Sequence, residues 1–180
     1  MRLFVAINFP EEVKDRLTTA IGTLEAQTLQ GKFTLRENLH LTLVFLGETN
    51  RLKEVKQAMS TVNFTDFNLK IGGLGRFTRS GGDIYWAGVG KSAELGALQA
   101  QLTSALTKVG FTLDDRTYSP HLTLGREVLL KPDFDETAIE KSIDTIDFPV
   151  SSFDLMCSER IWGKLTYTEL FSVKLNRERT

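Results

Sequence analysis

An α+β architecture of two similar lobes facing each other, each a sheet covered by helices, is what this chain predicts. Three observations carry that expectation. Short apolar stretches of strand character alternate with longer stretches at helical spacing. The order of these elements repeats at an interval of roughly 80 residues, too few copies for a solenoid but enough for two lobes. Finally, 180 residues suffice to bury a real core as one domain of two joined lobes, here taken as 1–180.

From Arg2 to Phe9, "RLFVAINF" reads as a buried strand, and Pro10 suits the first helical position, where its missing N–H costs nothing. Val13, Leu17, Ala20, Ile21 and Leu24 then follow at helical spacing, giving an amphipathic helix to about Leu29. A loop is expected next, leading into the strand "HLTLVFL". Thr49 and Asn50 are natural caps for a second helix with Leu52, Val55, Met59 and Val62 on one face. Strands over Phe67 to Ile71 and Ile84 to Val89 flank the turn-rich "TRSGGD".

The second round begins with a helix carrying Leu95, Leu98, Leu102, Ala105, Leu106 and Val109, and runs through "FTLDD" to the strand "HLTLGR". A shorter helix around Asp135 to Ile146 and strands near Val150 to Cys157 and Leu165 to Leu175 complete it. Helix starts near Pro10 and Lys91 precede His40 and His121 by similar lengths, which is the mark of duplication.

Composition narrows the function classes. A hydrophobic fraction of 41% and a charged fraction of 25% are ordinary for a globular chain, with no disordered stretch. The longest apolar runs fall far short of the roughly 20 residues a membrane helix needs. "MRLFVAINFPEE" has acids after its apolar run and no small-residue cleavage site, so it reads as a first strand rather than a secretory signal. The single cysteine, Cys157, can form no internal disulfide, and a cytoplasmic location and a monomer are expected. With 22 basic and 23 acidic side chains, the net charge of −1 argues against coating long nucleic acid by charge alone.

Both histidines of the chain, His40 and His121, open the same four letters, His-Leu-Thr-Leu, 81 positions apart. In a strand, His40 and Thr42 project to one side, roughly 6.5 Å apart, while Leu41, Leu43 and Phe45 project to the other. The same alternation sets His121 and Thr123 against Leu122 and Leu124. Two such strands across one cleft bring together two imidazoles and two hydroxyls.

A metal site would need a further ligand, and neither motif carries an Asp, Glu or Cys at familiar spacing. A serine-type triad would leave one histidine and both threonines idle. Acid and base catalysis on a phosphodiester uses every part. One neutral imidazole takes the proton of an attacking water and one imidazolium protonates the departing oxygen, both accessible near a pKa of ~6.5. The threonine hydroxyls can donate to non-bridging phosphate oxygens. Arg126, five residues past His121, offers a cationic fork for the phosphate if a bend at Gly125 turns it back toward the motif. The scheme needs neither metal nor cofactor.

At these residues the sequence resembles the 2H phosphoesterase superfamily, and within it "MRLFVAINFP", "ENLHLTLVFLGE" and "YSPHLTLGR" are similar to the RNA 2′,3′-cyclic phosphodiesterases, also called 2′-5′ RNA ligases. The likeness spans essentially the whole chain. It implies two antiparallel sheets facing a central cleft with helices outside, and hydrolysis of a terminal 2′,3′-cyclic phosphate to a 2′-phosphate. By this resemblance His40 matches the proton donor to the 3′ oxygen, His121 the base, and Thr42, Thr123 and Arg126 the phosphate-binding groups. The duplicated motifs by themselves do not say which histidine is which.

Candidate nucleotide contacts are Tyr118 before the second motif, Phe77 and Trp162 near the turns "RFTRSGGD" and "RIWGKLT", and Arg76 and Arg160 beside them. Each also has an ordinary reading as packing or solvated surface. The implied partners are RNA ends or small cyclic nucleotides, not membranes. The same residues are compatible with 2′-5′ ligation, with hydrolysis of another cyclic phosphate or a 2′-5′ oligonucleotide, and with non-catalytic binding of RNA ends.

Overall fold

The computed structural model describes residues 1–114 and 116–177; Asp115, at the end of "FTLDD", lies outside them. In chain order the elements are β1 (Arg2–Asn8), α1 (Glu11–Ala26), β2 (Thr28–Phe33), β3 (His40–Glu48), α2 (Leu52–Ser60), β4 (Phe67–Phe77) and β5 (Asp83–Val89). There follow α3 (Ala93–Lys108), β6 (His121–Leu130), α4 (Glu136–Lys141), β7 (Ile146–Val150), β8 (Ser152–Ile161) and β9 (Lys164–Lys174). The fold is α+β, with two antiparallel sheets: one ordered β3-β1-β8-β9, the other β2-β6-β5-β4-β7. Helices α2 and α3 pack together over the first sheet, and α1 and α4 over the second.

Neither sheet comes from one half of the chain. The first takes β1 and β3 from the N-terminal half and β8 and β9 from the C-terminal half; the second interleaves β6 and β7 with β2, β4 and β5. Strand β1 therefore lies between β3 and β8 and is buried on both faces, Leu3, Val5 and Ile7 toward the helices and Phe4 and Ala6 with Met156 on the other side. Leu95, Leu98, Leu102 and Leu106 of α3 are likewise buried, each contributing roughly 1.5–3 kcal/mol by leaving water.

Two strands depart from the sequence expectation. "TLQGKF" forms β2 where a loop was expected, and α1 ends at Ala26. With no residue fully buried it gives no local signal, because what holds it is the distant edge of β6, with Phe33 opposite Gly125. The expected strand near Val150 to Cys157 is β8, which begins at Ser152, while β7 just before it was not expected: it alternates buried and exposed residues and pairs with β4, and after Ser151 the chain crosses to β8 in the other sheet. Pro149 sits in β7, an edge strand, where a missing N–H is tolerated.

Capping also differs in detail. Pro10 is the N-cap of α1 rather than its first residue, and Arg51, not Thr49 or Asn50, caps α2, with the Thr49 hydroxyl accepting from the Arg51 N–H. Ser92 and Asp135 cap α3 and α4 with side chains that accept from Leu95 and Ala138. No helix among the described residues is long and apolar enough to cross a membrane.

Candidate active site

The two His-Leu-Thr-Leu motifs open β3 and β6, and these strands approach each other where the sheets meet. Each histidine is oriented alike. His40 Nδ1 lies 2.7 Å from the Asn38 carbonyl and His121 Nδ1 lies 2.8 Å from the Ser119 carbonyl, in each case two residues upstream. A carbonyl oxygen only accepts, so Nδ1 carries the proton in both rings and Nε2 is the atom left for chemistry. His40 Nε2 lies 3.0 Å from Thr42 Oγ1, so imidazole and hydroxyl present as one unit.

Aromatic walls hold both rings. Phe4 at 4.9 Å and Tyr167 at 5.1 Å flank His40; Phe77 at 5.2 Å and Trp86 at 6.1 Å flank His121. The Trp86 indole fits because its neighbour across β4 is Gly75, where a Cβ would meet the ring at 2.2 Å. The indole Nε1 is buried and has no hydrogen-bond partner among the described residues.

Alternation breaks just past each motif. Ala6 faces Thr42 and Val5 faces Val44, leaving Leu43 as an extra residue; Trp86 faces Thr123 and Tyr85 faces Gly125, leaving Leu124 as the same extra residue in β6. Both bulged leucines are buried, and both are followed by a second buried residue. The phase therefore slips by one. Arg126 returns to the motif face, where its Nη2 donates to Thr123 Oγ1 at 3.4 Å, through a bulge at Leu124 and Gly125 rather than a simple bend. Phe45 returns likewise, against the expectation that it joins Leu41 and Leu43 in the core: it is 59% exposed, and its ring meets Phe4.

Burial holds the His40 pKa below its ordinary value; the Asn38 carbonyl opposes this, and the positive charge of Arg126 adds to the lowering. Arg126, on the other sheet, thus acts on both motifs. Among the described residues, no group of three or more His, Cys, Asp or Glu is placed to hold a metal ion.

The remaining candidates scatter. Tyr118 is a tie between the motifs: its hydroxyl donates to the Thr42 carbonyl at 3.0 Å, and burial raises its pKa. Thr34, which the sequence did not single out, makes the reciprocal bond, its hydroxyl donating to the Thr123 carbonyl at 2.7 Å. Phe77 packs on His121 and Trp86, so its ring is a wall of the site. Arg76 pairs with Asp83, and Arg160 donates to the Gly163 carbonyl within the β8–β9 turn. Trp162, at that turn with a positive φ of 53°, is fully exposed. Phe4, Tyr167 and Trp86 gave no motif signal; only the sheet register brings them to the histidines.

The family model of the 2′-5′ RNA ligase superfamily matches residues 9–161. The RNA 2′,3′-cyclic phosphodiesterase of Thermotoga maritima is 34% identical over 154 residues, 83% of this chain and 79% of that one. The crystal structure of TT0787 of Thermus thermophilus superposes with a TM-score of 0.79 at 25% identity, covering 99% of this chain and 100% of that one. The Escherichia coli LigT structure complexed with 3′-AMP gives 0.76 at 27% identity, covering 97% of each.

Proposed function

Since the chain belongs to the 2′-5′ RNA ligase superfamily, we propose that it hydrolyses the 2′,3′-cyclic phosphate at an RNA end to a 2′-phosphate, without a metal, by acid and base catalysis at His40 and His121. The observation that carries this reading is the matched pair of motifs: two imidazoles, each anchored through Nδ1 to a backbone carbonyl, each accompanied by a threonine, on strands that approach each other.

His121 Nε2 takes a proton from water as the oxygen attacks phosphorus, the P–O3′ bond breaks in line, and His40, as imidazolium, gives its Nε2 proton to the departing O3′. Thr42 and Thr123 donate to the non-bridging oxygens, and Arg126 opposes their charge. Assigning acid to His40 and base to His121 follows the family resemblance. The naming of relatives as RNA 2′,3′-cyclic phosphodiesterases, and a structural neighbour complexed with 3′-AMP, support a nucleotide substrate.

Incubation of a short oligoribonucleotide ending in 2′,3′-cyclic phosphate, in chelator, tests this, with phosphorus NMR of the product. The wild type is expected to form a 2′-phosphate, and His40→Ala and His121→Ala each to lose at least ~10²-fold in rate while keeping their melting temperatures. A cyclic end left intact by the wild type, or turned over undiminished by both variants, would overturn the reading.

A further inference from the structure

Strands β8 and β9 run past the sheet they belong to. The pairing of β8 with β1 ends at Ser158 and Arg2, yet β8 and β9 stay paired as far as Ile161 and Lys164, so a two-stranded arm projects beyond the sheet. Every residue from Glu159 to Leu165 is exposed, the apolar Ile161, Trp162 and Leu165 included. At the tip, Trp162 and Gly163 form a two-residue turn with φ of 53° and 81°. Such turns favour Asn-Gly, because a left-handed φ strains a bulky side chain. Trp162 takes that strain while its indole is fully exposed, so folding gains nothing from the ring. Strain of this kind gathers where a protein holds a ligand.

The base of the arm belongs to the His40 site. Tyr167 of β9 stands 5.1 Å from the His40 ring. The Leu165 carbonyl accepts from Asn38 Nδ2 at 2.9 Å, and the carbonyl of the same buried Asn38 anchors His40 Nδ1. Lys164 pairs with Glu37 at 2.6 Å, so the arm is fixed in direction relative to the motif. Trp162 lies five residues from Tyr167, roughly 16 Å of strand, too far for the nucleotide whose phosphate meets the histidines.

We propose that this arm binds the single-stranded body of the RNA whose end lies in the cleft, with Trp162 stacking on a base upstream of the terminal nucleotide. This rests on the cyclic-phosphate reading above. There the departing O3′ and its nucleoside stand on the side of His40, and the rest of the strand leads away on that side, where the arm stands. Arg160, exposed and donating to the Gly163 carbonyl at 2.9 Å, sets a cation beside the turn. An aromatic face next to a cation holds single strands without reading their sequence. The arm therefore favours length and single-strandedness over base identity, and leaves the chemistry to the cleft.

Calorimetric titration tests this with an oligouridylate of about six nucleotides ending in a 2′-phosphate, beside uridine 2′-monophosphate, on wild type, Trp162→Asn, Trp162→Tyr and Arg160→Gln. The corresponding cyclic phosphates give kcat/KM. Asparagine suits the turn, so Trp162→Asn is expected to fold with an equal or higher melting temperature. The wild type is expected to bind the oligonucleotide tighter than the mononucleotide by about fivefold or more, as one stacked base supplies. Trp162→Asn is expected to cut that gain to within about twofold and Trp162→Tyr to keep most of it. Arg160→Gln is expected to weaken the oligonucleotide and flatten its salt dependence. No gain from length in the wild type, or a gain that survives Trp162→Asn, overturns the arm as an RNA surface; an unmoved salt dependence removes Arg160 from it. Binding needs no turnover. A wild type that shows the length gain yet hydrolyses no cyclic phosphate defeats the hydrolytic reading and spares the arm, and one that hydrolyses both substrates with no gain from length does the reverse.

Discussion

His40 and Arg126 are coupled across the two sheets, and the coupling has a sign. Burial and the guanidinium both disfavour the imidazolium, so the His40 pKa lies below the ordinary value. If the imidazolium is the acid, kcat/KM falls as pH rises through that lowered pKa, so the alkaline limb begins below the ~6.5 of a free histidine. Arg126→Met removes one lowering influence and is expected to move the His40 titration to higher pH. The chain has only two histidines, so two sets of imidazole signals in a proton NMR titration report it directly. A His40 titration unmoved by the substitution would show that the guanidinium does not reach it.

At the scale of elements, the site depends on strands held in register at a few points. Tyr118 from the lead-in to β6 bonds the Thr42 carbonyl of β3, and Thr34 from the lead-in to β3 bonds the Thr123 carbonyl of β6. These ties cross between the motifs in opposite senses. Tyr118→Phe removes one hydrogen bond and is expected to lower stability by about 0.5–1.5 kcal/mol in urea denaturation, with a larger loss in kcat than in KM. The wall of His121 depends similarly on β4. In Gly75→Ala the new Cβ would meet the Trp86 ring at 2.2 Å, so the indole must shift and His121 with it. Because a displacement near 1 Å can cost up to about 10²-fold, a marked fall in kcat with a changed tryptophan emission is the expected outcome.

For the whole molecule, interleaving decides cooperativity. The first sheet needs β8 beside β1, and the second needs β6 between β2 and β5. Residues 1–90 alone would leave β1 without β8 and separate β2 from β5, exposing Leu3, Val5, Ile7 and Ala87, all buried in the full chain. That fragment is expected to stay unfolded by circular dichroism, although it contains one complete motif, and the full chain to unfold in a single transition. An independently folded half would contradict the dependence of each sheet on both halves.

What the sequence determined by itself was local and periodic: β1, the spacing of α1 and α3, the strands of both motifs, and the pair of side chains that each His-x-Thr presents. These are legible because alternation at a period of two, helical spacing near 3.6 and side-chain identity are read from neighbouring residues alone. The tertiary structure decided the rest. It made a strand of "TLQGKF" because an edge of β6 was there to pair with it, and a further strand of "IDFPV" against the edge of β4. It brought Phe4, Tyr167, Phe77 and Trp86 to the histidines through sheet register. The bulges at Leu43 and Leu124 turned Phe45 out of the core and Arg126 to the motif face, and no local pattern marks them, because a bulge exists only relative to the strand it is paired with.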